Sequence, residues 1–200
     1  MTRVLIIGML RLLTGVRARW MDGGPTNAQR VYFANHTSNL DALVVWAALP
    51  APVREHTRPV AAQDYWQAGL VRPYLARRVF NAVLIERKNV TVKTNPLAPM
   101  LAALGAGASL IIFPEGGRMA GGEVGEFKGG IYHLASHRPG LELVPVWIEN
   151  MNRVLPKGEF LPVPILGGVT VGAPLRLADG EARPAFLARA RAALETLRPD

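Results

Sequence analysis

Hydrophobic positions in this chain follow two spacings, one typical of strands and one typical of helices. Residues 30–34 (RVYFA) are a β-branched and aromatic run, and residues 40–49 have the apolar density of a buried helix. Further apolar runs predict strands at 58–62, 81–87, 109–113, 142–150 and 167–177, and helices at 65–80, 95–107, 131–138 and 181–197. Strands that alternate with helices are typical of α/β proteins. We therefore predict a mixed, largely parallel sheet flanked by helices.

Two positions qualify this prediction. Asp64 is expected to cap the helix at 65–80, and Pro73 is expected to bend or break it. Residues 114–130 form a glycine-rich loop between a strand and a helix.

Residues 1–20 (MTRVLIIGMLRLLTGVRARW) form an apolar segment that arginines flank and interrupt. Arg11 breaks the apolar run, and Arg17, Arg19 and Trp20 stand where a signal peptide would have small residues before its cleavage site. No apolar run approaches the ~20 residues that cross a bilayer. We predict a helix lying in the membrane interface over 1–20, with a core helix as the alternative, and a second unit over 21–200.

Composition limits the possible partners. The 200 residues suit one domain, or one domain with a small appendage. The net charge of +8 favours an anionic partner such as nucleic acid, an acidic membrane surface or a phosphorylated substrate. The chain has no aromatic RNP-like strand and no recognition helix, so no nucleic acid is expected. The absence of cysteine excludes disulfides, thiolate metal sites and a cysteine nucleophile.

The segment ANHTSNLD (residues 34–41) places a histidine where a strand hands over to a helix. One interpretation is structural: Ser38 is the N-cap, Asp41 is the acid of a capping box, and His36 is a loop residue. The other is catalytic, because strand ends hold side chains rigidly and leave them accessible. The two are compatible, since a carboxylate in the first turn points back toward His36.

Three further strand ends carry residues of interest: Glu86 with Arg87, the segment FPEGGR (113–118), and Pro145 in VPVWI. In an open sheet, the loops at one edge converge on one crevice. We expect these segments and His36 to build a single site if their strands run the same way.

The same four segments resemble the motifs of a known family. NHTSNLD matches an N-H-x-x-x-x-D motif, and IER, FPEGGR followed by FKGG, and VPVWI match the other three blocks in order. Over about residues 30–150 the chain is similar to the glycerolipid acyltransferases, which include the 1-acylglycerol-3-phosphate (lysophosphatidate) acyltransferases.

This resemblance implies a reaction. His36 would act as general base on an acceptor hydroxyl, which attacks the thioester of acyl-CoA or acyl-ACP (acyl carrier protein), while Asp41 would orient the imidazole and stabilise its cation. No cofactor is expected, because the acyl thioester is a co-substrate. The acceptor would be a lysophospholipid, and the protein would associate peripherally with an anionic membrane surface at the cytoplasmic face.

The resemblance also implies a phosphate site. Arg118 is the first candidate for the acceptor phosphate, Arg87 the second and Lys128 the third. Glu115 is expected to orient Arg118 or to bond the acceptor glycerol, and Gly116 to let substrate approach the backbone.

Two positions depart from the family pattern in ways that bear on the acceptor. Gly117 stands where the family usually has threonine, and residues 60–66 lack a lysine that many members carry there. Another lysolipid or a lipidated amino acid is therefore an alternative acceptor. A basic membrane-binding or nucleic-acid-binding module without catalysis is an alternative from another class, and its binding would not depend on His36.

His133 and His137 are four residues apart on a predicted helix, which is a spacing that some metal sites use. No glutamate of an HExxH motif and no third ligand accompany them, so no metal is expected.

Overall fold

The computed structural model describes residues 5–9, 15–38, 40–91, 94–118, 123–149 and 167–199. Its seven-stranded sheet has the order β1-β7-β6-β2-β5-β3-β4. Neighbouring strands are parallel except for the antiparallel pair of β6 and β7, which confirms the predicted mixed α/β class. The strands are β1 (Arg17–Trp20), β2 (Arg30–Ala34), β3 (Thr57–Ala62), β4 (Val83–Ile85), β5 (Ser109–Ile112), β6 (Glu142–Ile148) and β7 (Gly168–Val171).

Helices connect the strands and cover the sheet. They are α1 (Asp41–Ala48), α2 (Ala51–Glu55), α3 (Gln63–Trp66), α4 (Val71–Tyr74), α5 (Leu97–Gly105), α6 (Gly130–His137) and α7 (Arg183–Glu195), and a π-helical turn, Leu75–Val79, continues α4. Two hydrophobic clusters fill the space between these helices and the sheet.

Strand β2 lies at the centre of the fold and is buried along its whole length. Val31 and Phe33 belong to the cluster on one face, whereas Tyr32 and Ala34 belong to the other, as the two-residue period of a strand requires. Because β2 pairs in parallel with both β5 and β6, the loops that follow these strands leave the sheet at the same edge.

The predicted N-terminal helix does not extend to Trp20. Residues 17–20 form β1, an edge strand that pairs with β7, and Val16 before it is buried. Residues 5–9 are helical, with Ile6 and Ile7 packed against a core cluster and Leu5 and Met9 exposed. The other residues before Gly15 lie outside the described part, so the membrane-interface location stays a prediction. Across the described residues, no helix is long and apolar enough to cross a membrane.

The segment between β3 and β4 also differs from its prediction. The helix ends at Trp66 and resumes at Val71, so the break lies near Gly69, whose φ is +72°, and not at Pro73. Pro73 is tolerated because it lies in the first turn of α4, where a backbone N–H has no partner inside the helix. Asp64 does not cap the helix: Ala62 is the N-cap residue, and the Asp64 carboxylate pairs with Arg87 and Lys88.

Candidate active site

The end of β2 is fixed to the neighbouring strand by a side chain. The amide of Asn35 donates from Nδ2 to the carbonyl of Ile148 at 3.0 Å, and its Oδ1 accepts the backbone N–H of Ile148 at 2.8 Å. This pair of bonds extends the ladder between β2 and β6 by one residue. His36 therefore leaves the sheet from a fixed point.

Asp41 holds the imidazole of His36 from behind. Its Oδ2 lies 2.9 Å from Nδ1 of His36 and also accepts the backbone N–H groups of Thr37, at 2.6 Å, and Ser38, at 2.7 Å. The Asp41 side chain is 0% exposed and that of His36 is 22% exposed. Because Oδ2 accepts all three bonds, a neutral imidazole in this position has its proton on Nδ1 and its lone pair on Nε2.

This geometry combines the two interpretations of ANHTSNLD. Asp41 bonds the Ser38 N–H, as the acid of a capping box does, but the N-cap residue of α1 is Leu40, and Ser38 Oγ accepts the Leu40 N–H at 3.3 Å. The carboxylate thus orders the loop backbone and the histidine ring with the same oxygen.

Glu115 fixes the loop from the other side. Its Oε1 accepts the backbone N–H of His36 at 2.8 Å, and its Oε2 accepts that of Gly125 at 2.9 Å. Burial raises the pKa of Glu115 above its ordinary value, and the two backbone bonds offset part of this rise. The sequence predicted contact with Arg118 or the acceptor, whereas the structure gives this buried carboxyl a positioning role beneath His36.

One face of the imidazole lies against an aromatic ring. Phe113, the first residue after β5, stacks on His36 with ring centroids 4.2 Å apart and an angle of 22° between the planes. Together with the Asp41 bond, this contact leaves the ring of His36 little freedom to rotate.

His36 lines a cavity of about 430 Å³ at this edge of the sheet. Part of its wall is apolar and contains residues from the clusters on both faces of the sheet. The apolar wall residues include Val60, Trp66, Phe80, Ile85, Met100, Ile112, Ile131 and Leu134. Arg87, Arg118 and Lys128 also line this cavity, so an apolar wall and three cations share one space with the histidine.

Gly116 and Lys128 lie in close contact within the loop after β5. Gly116 has a φ of +71°, and a Cβ at this position would lie 2.7 Å from Nζ of Lys128. Only glycine adopts this conformation without strain and lets the lysine side chain cross so near the backbone. The sequence predicted that substrate approaches the backbone at Gly116, and in the structure the side chain of Lys128 occupies this place.

Arg87 is already paired in this structure. Its Nε lies 3.2 Å from Oδ1 of Asp64, and Nζ of Lys88 lies 3.0 Å from Oδ2 of the same carboxylate. Hydrogen bonds from Lys88 and Arg87 hold the pKa of Asp64 below its ordinary value. Asp64 therefore competes with any anion in the cavity for Arg87, which lines the cavity.

The structure thus places the predicted residues in two groups. His36, Arg87, Gly116, Arg118 and Lys128 line one cavity, whereas Asp41 and Glu115 lie behind His36. The fourth motif, VPVWI, forms part of strand β6. Pro145 lies inside this strand opposite Phe33 and not at a strand end.

Sequence reasoning misses three contributors. The motif gives Asn35 no role, the apolar pattern makes Phe113 a strand residue, and the local sequence makes Asp64 a helix cap. A polar residue directly after a buried strand is the available signal for Asn35. The partners of Phe113 and Asp64 are distant in sequence, so no local signal identifies them.

The histidine pair on α6 shows no ligand geometry. Nδ1 of His137 lies 2.8 Å from the backbone carbonyl of His133, which is a bond within one helical turn. Within the described ranges, no group of three or more His, Cys, Asp or Glu side chains could hold a metal ion.

Comparison with known proteins identifies relatives. A protein-family model described as Acyltransferase matches residues 17–149. A 1-acyl-sn-glycerol-3-phosphate acyltransferase of Limnanthes alba is 29% identical over 167 residues, which are 80% of this chain and 56% of the relative. A probable 1-acyl-sn-glycerol-3-phosphate acyltransferase of Mycoplasma pneumoniae is 29% identical over 119 residues, which are 58% of this chain and 42% of the relative. This chain thus spans about half the length of these relatives.

A solved structure shares the fold. The crystal structure of the 1-acyl-sn-glycerophosphate (LPA) acyltransferase PlsC from Thermotoga maritima matches with a TM-score of 0.73 at 21% identity. The match covers 98% of this chain and 80% of that chain. At this identity the likeness shows the arrangement of strands and helices.

Proposed function

Because this chain belongs to the Acyltransferase family, we propose that it transfers a fatty acyl group from an acyl thioester to the free hydroxyl of a lysophosphatidate-type acceptor. The observation that carries the proposal is the position of His36. Its imidazole is paired with a buried carboxylate and lines a cavity that has both an apolar wall and cationic side chains. A fatty acyl chain and a phosphate need these two surfaces on either side of a base.

His36 would act through Nε2. This atom accepts the proton of the acceptor hydroxyl while the hydroxyl oxygen forms a bond to the thioester carbonyl carbon. The carbon–sulfur bond then breaks, and the proton passes from the imidazolium to the departing thiolate. A positioned base contributes roughly 10²- to 10⁴-fold to such a step, and Asp41 stabilises the imidazolium through Nδ1.

The substrates would divide between the two surfaces of the cavity. The apolar wall suits the hydrocarbon chain of the acyl group that acyl-CoA or acyl-ACP carries, because burial of methylene groups is favourable at about 0.8 kcal/mol each. Arg118 and Lys128 would bind the acceptor phosphate, with Arg87 as a further cation, because guanidinium and ammonium groups form charge-assisted hydrogen bonds with phosphate oxygens.

The acceptor is a lipid, so the protein would work at an anionic membrane surface on the cytoplasmic face. The exposed Leu5 and Met9 in the helical residues 5–9 support peripheral attachment, since they form an apolar surface beside residues that pack on the core. The variant that combines Leu5→Gln with Met9→Gln is expected to lower vesicle binding. It keeps β1, whereas a truncation of residues 1–20 would remove that strand.

Asp64 allows a second candidate acceptor of the same chemical type. A lysophospholipid with a cationic headgroup would place its phosphate on Arg118 and Lys128, and its cation would have to displace Arg87 or Lys88 from the Asp64 carboxylate. Acceptors with and without a headgroup cation are therefore compared in the same assay.

The decisive experiment measures thiol release and acylated product with purified protein. The panel pairs acyl-CoA and acyl carrier protein donors with lysophosphatidate and other lysolipid acceptors. His36→Ala is expected to lower turnover about 10²- to 10⁴-fold with an unchanged circular dichroism spectrum, because the ring is a loop side chain. Wild-type turnover in the folded variant would contradict the proposal and support a binding module.

A further inference from the structure

An exposed apolar surface lies on the segment between β3 and β4. Leu70 is 95% exposed, Val71 67% and Tyr74 50%, so three large hydrophobic side chains within five residues face solvent. Exposed apolar groups that cluster in this way mark an interaction site more often than scattered ones do. We call Leu70, Val71 and Tyr74 the apolar tip.

The same segment forms part of the cavity wall. Trp66, Ala76 and Phe80 line the cavity that contains His36, and Ala76, Val79 and Phe80 are buried. The segment therefore has an inner face fixed on the site and an outer face that carries the apolar tip. The π-helical turn Leu75–Val79, a form that is frequent at functional sites, joins the two.

Arginines accompany the apolar tip. Residues 65–85 contain Arg72, Arg77 and Arg78, and the nearest acidic residues along the chain are Glu86 and Asp64, which pairs with Arg87 and Lys88. The guanidinium of Arg72 stacks on the ring of Tyr65 at 4.3 Å, and Arg77 is exposed. Exposed apolar side chains among arginines fit an interface of lipid headgroups and acyl chains, where apolar groups enter the hydrocarbon and basic groups meet anionic headgroups.

We propose that the apolar tip inserts into an anionic bilayer surface and holds the cavity against it. The partner is a lipid surface because the tip is continuous with the wall of a cavity suited to lipid substrates, and this choice rests on the proposed function. The attachment is a different segment of the chain from residues 5–9, because the tip lies between β3 and β4, which end the sheet at the edge opposite β1.

Co-sedimentation of the full chain with phosphatidylcholine vesicles, with and without phosphatidylglycerol, tests the proposal. Leu70→Gln combined with Val71→Thr is expected to lower the partition coefficient at least about 10-fold, because burial of such side chains is worth about 1.5–3 kcal/mol each. Leu70→Ile combined with Val71→Ile keeps the apolar surface and is expected to bind like the wild type.

The charge is tested with a matched pair of variants. Arg77→Gln is expected to lower binding about 5-fold on anionic vesicles and to leave binding on neutral vesicles unchanged, since one basic residue near such a surface contributes about 1 kcal/mol. Arg176→Gln changes the net charge equally on a side chain that is 63% exposed and pairs with Glu142 away from the tip, and is expected to bind like the wild type.

Vesicle binding is measured without donor or acceptor, so its result is independent of the proposed reaction. Wild-type binding by the double variant that carries Leu70→Gln and Val71→Thr, in a protein with an unchanged melting temperature, would overturn the proposal. Light scattering checks the other occupant: a wild-type dimer that becomes monomeric in this double variant, with vesicle binding unchanged, would assign the tip to a second copy of the chain instead.

Discussion

Replacement of Asp41 by asparagine removes one charge from the site and almost no volume. In the wild type, three hydrogen-bond donors converge on Oδ2 at 2.6, 2.7 and 2.9 Å, and Oδ1 is buried without a hydrogen-bond partner among the described residues. The carbonyl of an asparagine would take the place of Oδ2 and keep the three donors. Its NH2 group would take the place of Oδ1, where it has no acceptor.

Two effects of Asp41→Asn can be given a size. The neutral acceptor forms weaker bonds than a carboxylate and the NH2 group is buried unpaired, so we expect the free energy of unfolding to fall by about 1–3 kcal/mol. In the reaction, the imidazolium of His36 loses its counter-charge. At an effective dielectric constant of ~20 and about 4 Å between charges, this loss is about 4 kcal/mol, or roughly 10³-fold in turnover.

The assay is thiol release under saturating donor and acceptor, with urea unfolding of the same preparations. Because Asp41 lies behind His36, kcat should fall while the KM for the acceptor changes little. Ser38→Ala is the control, since it removes the hydroxyl that accepts the Leu40 N–H in the same loop and leaves Asp41 in place, and we expect less than about 10-fold loss. Turnover of Asp41→Asn within about 3-fold of the wild type, in a folded protein, would refute the assignment.

Three other outcomes follow from the site. Arg118→Ala should raise the KM for phosphate-bearing acceptors and leave the donor KM unchanged, with Lys rescuing only in part because it lacks the bidentate fork; equal kinetics on acceptors with and without phosphate would contradict this. Asp64→Asn should release Arg87 from its ion pair and so lower the KM for lysophosphatidate, as measured by steady-state kinetics with this acceptor. An unchanged KM would show that Arg87 does not bind the acceptor. Burial raises the pKa of Glu115 in the folded state, so this group stabilises the fold below its unfolded pKa, and the contribution is lost as pH rises through the folded pKa. In urea unfolding above about pH 4.5, the stability of the wild type relative to Glu115→Gln should therefore fall as pH rises. A rise in this relative stability would contradict the direction of the pKa shift.

Local pattern is sufficient for the elements that hold His36. Strand β2 has the bounds that RVYFA predicts, and α1 begins at Asp41. Each element contains a continuous apolar run, so neighbouring residues in the sequence are enough to predict it. The family resemblance drawn from four short motifs is confirmed by the family model over residues 17–149. The fold class and the family could therefore be predicted from the sequence.

Contacts between distant residues set what the pattern could not predict. Residues 17–20 continue an apolar segment, and only pairing with β7, about 150 residues later, makes them a strand. Asp64 has the local features of a cap, yet its partners are Arg87 and Lys88. Glu115 lies close to Arg118 in sequence, whereas its carboxylate bonds the N–H of His36, 79 residues earlier.

The side chains of Asn35, Asp41 and Glu115 hold His36 through contacts within the protein. If His36 is the base that we propose, these contacts set its orientation and the acceptor does not have to. A water molecule in the cavity would then meet the same imidazole as the acceptor hydroxyl. On this proposal, preference for transfer over hydrolysis of the thioester would come from exclusion of water by the occupied apolar wall, and we expect slow hydrolysis of the acyl donor when no acceptor is added.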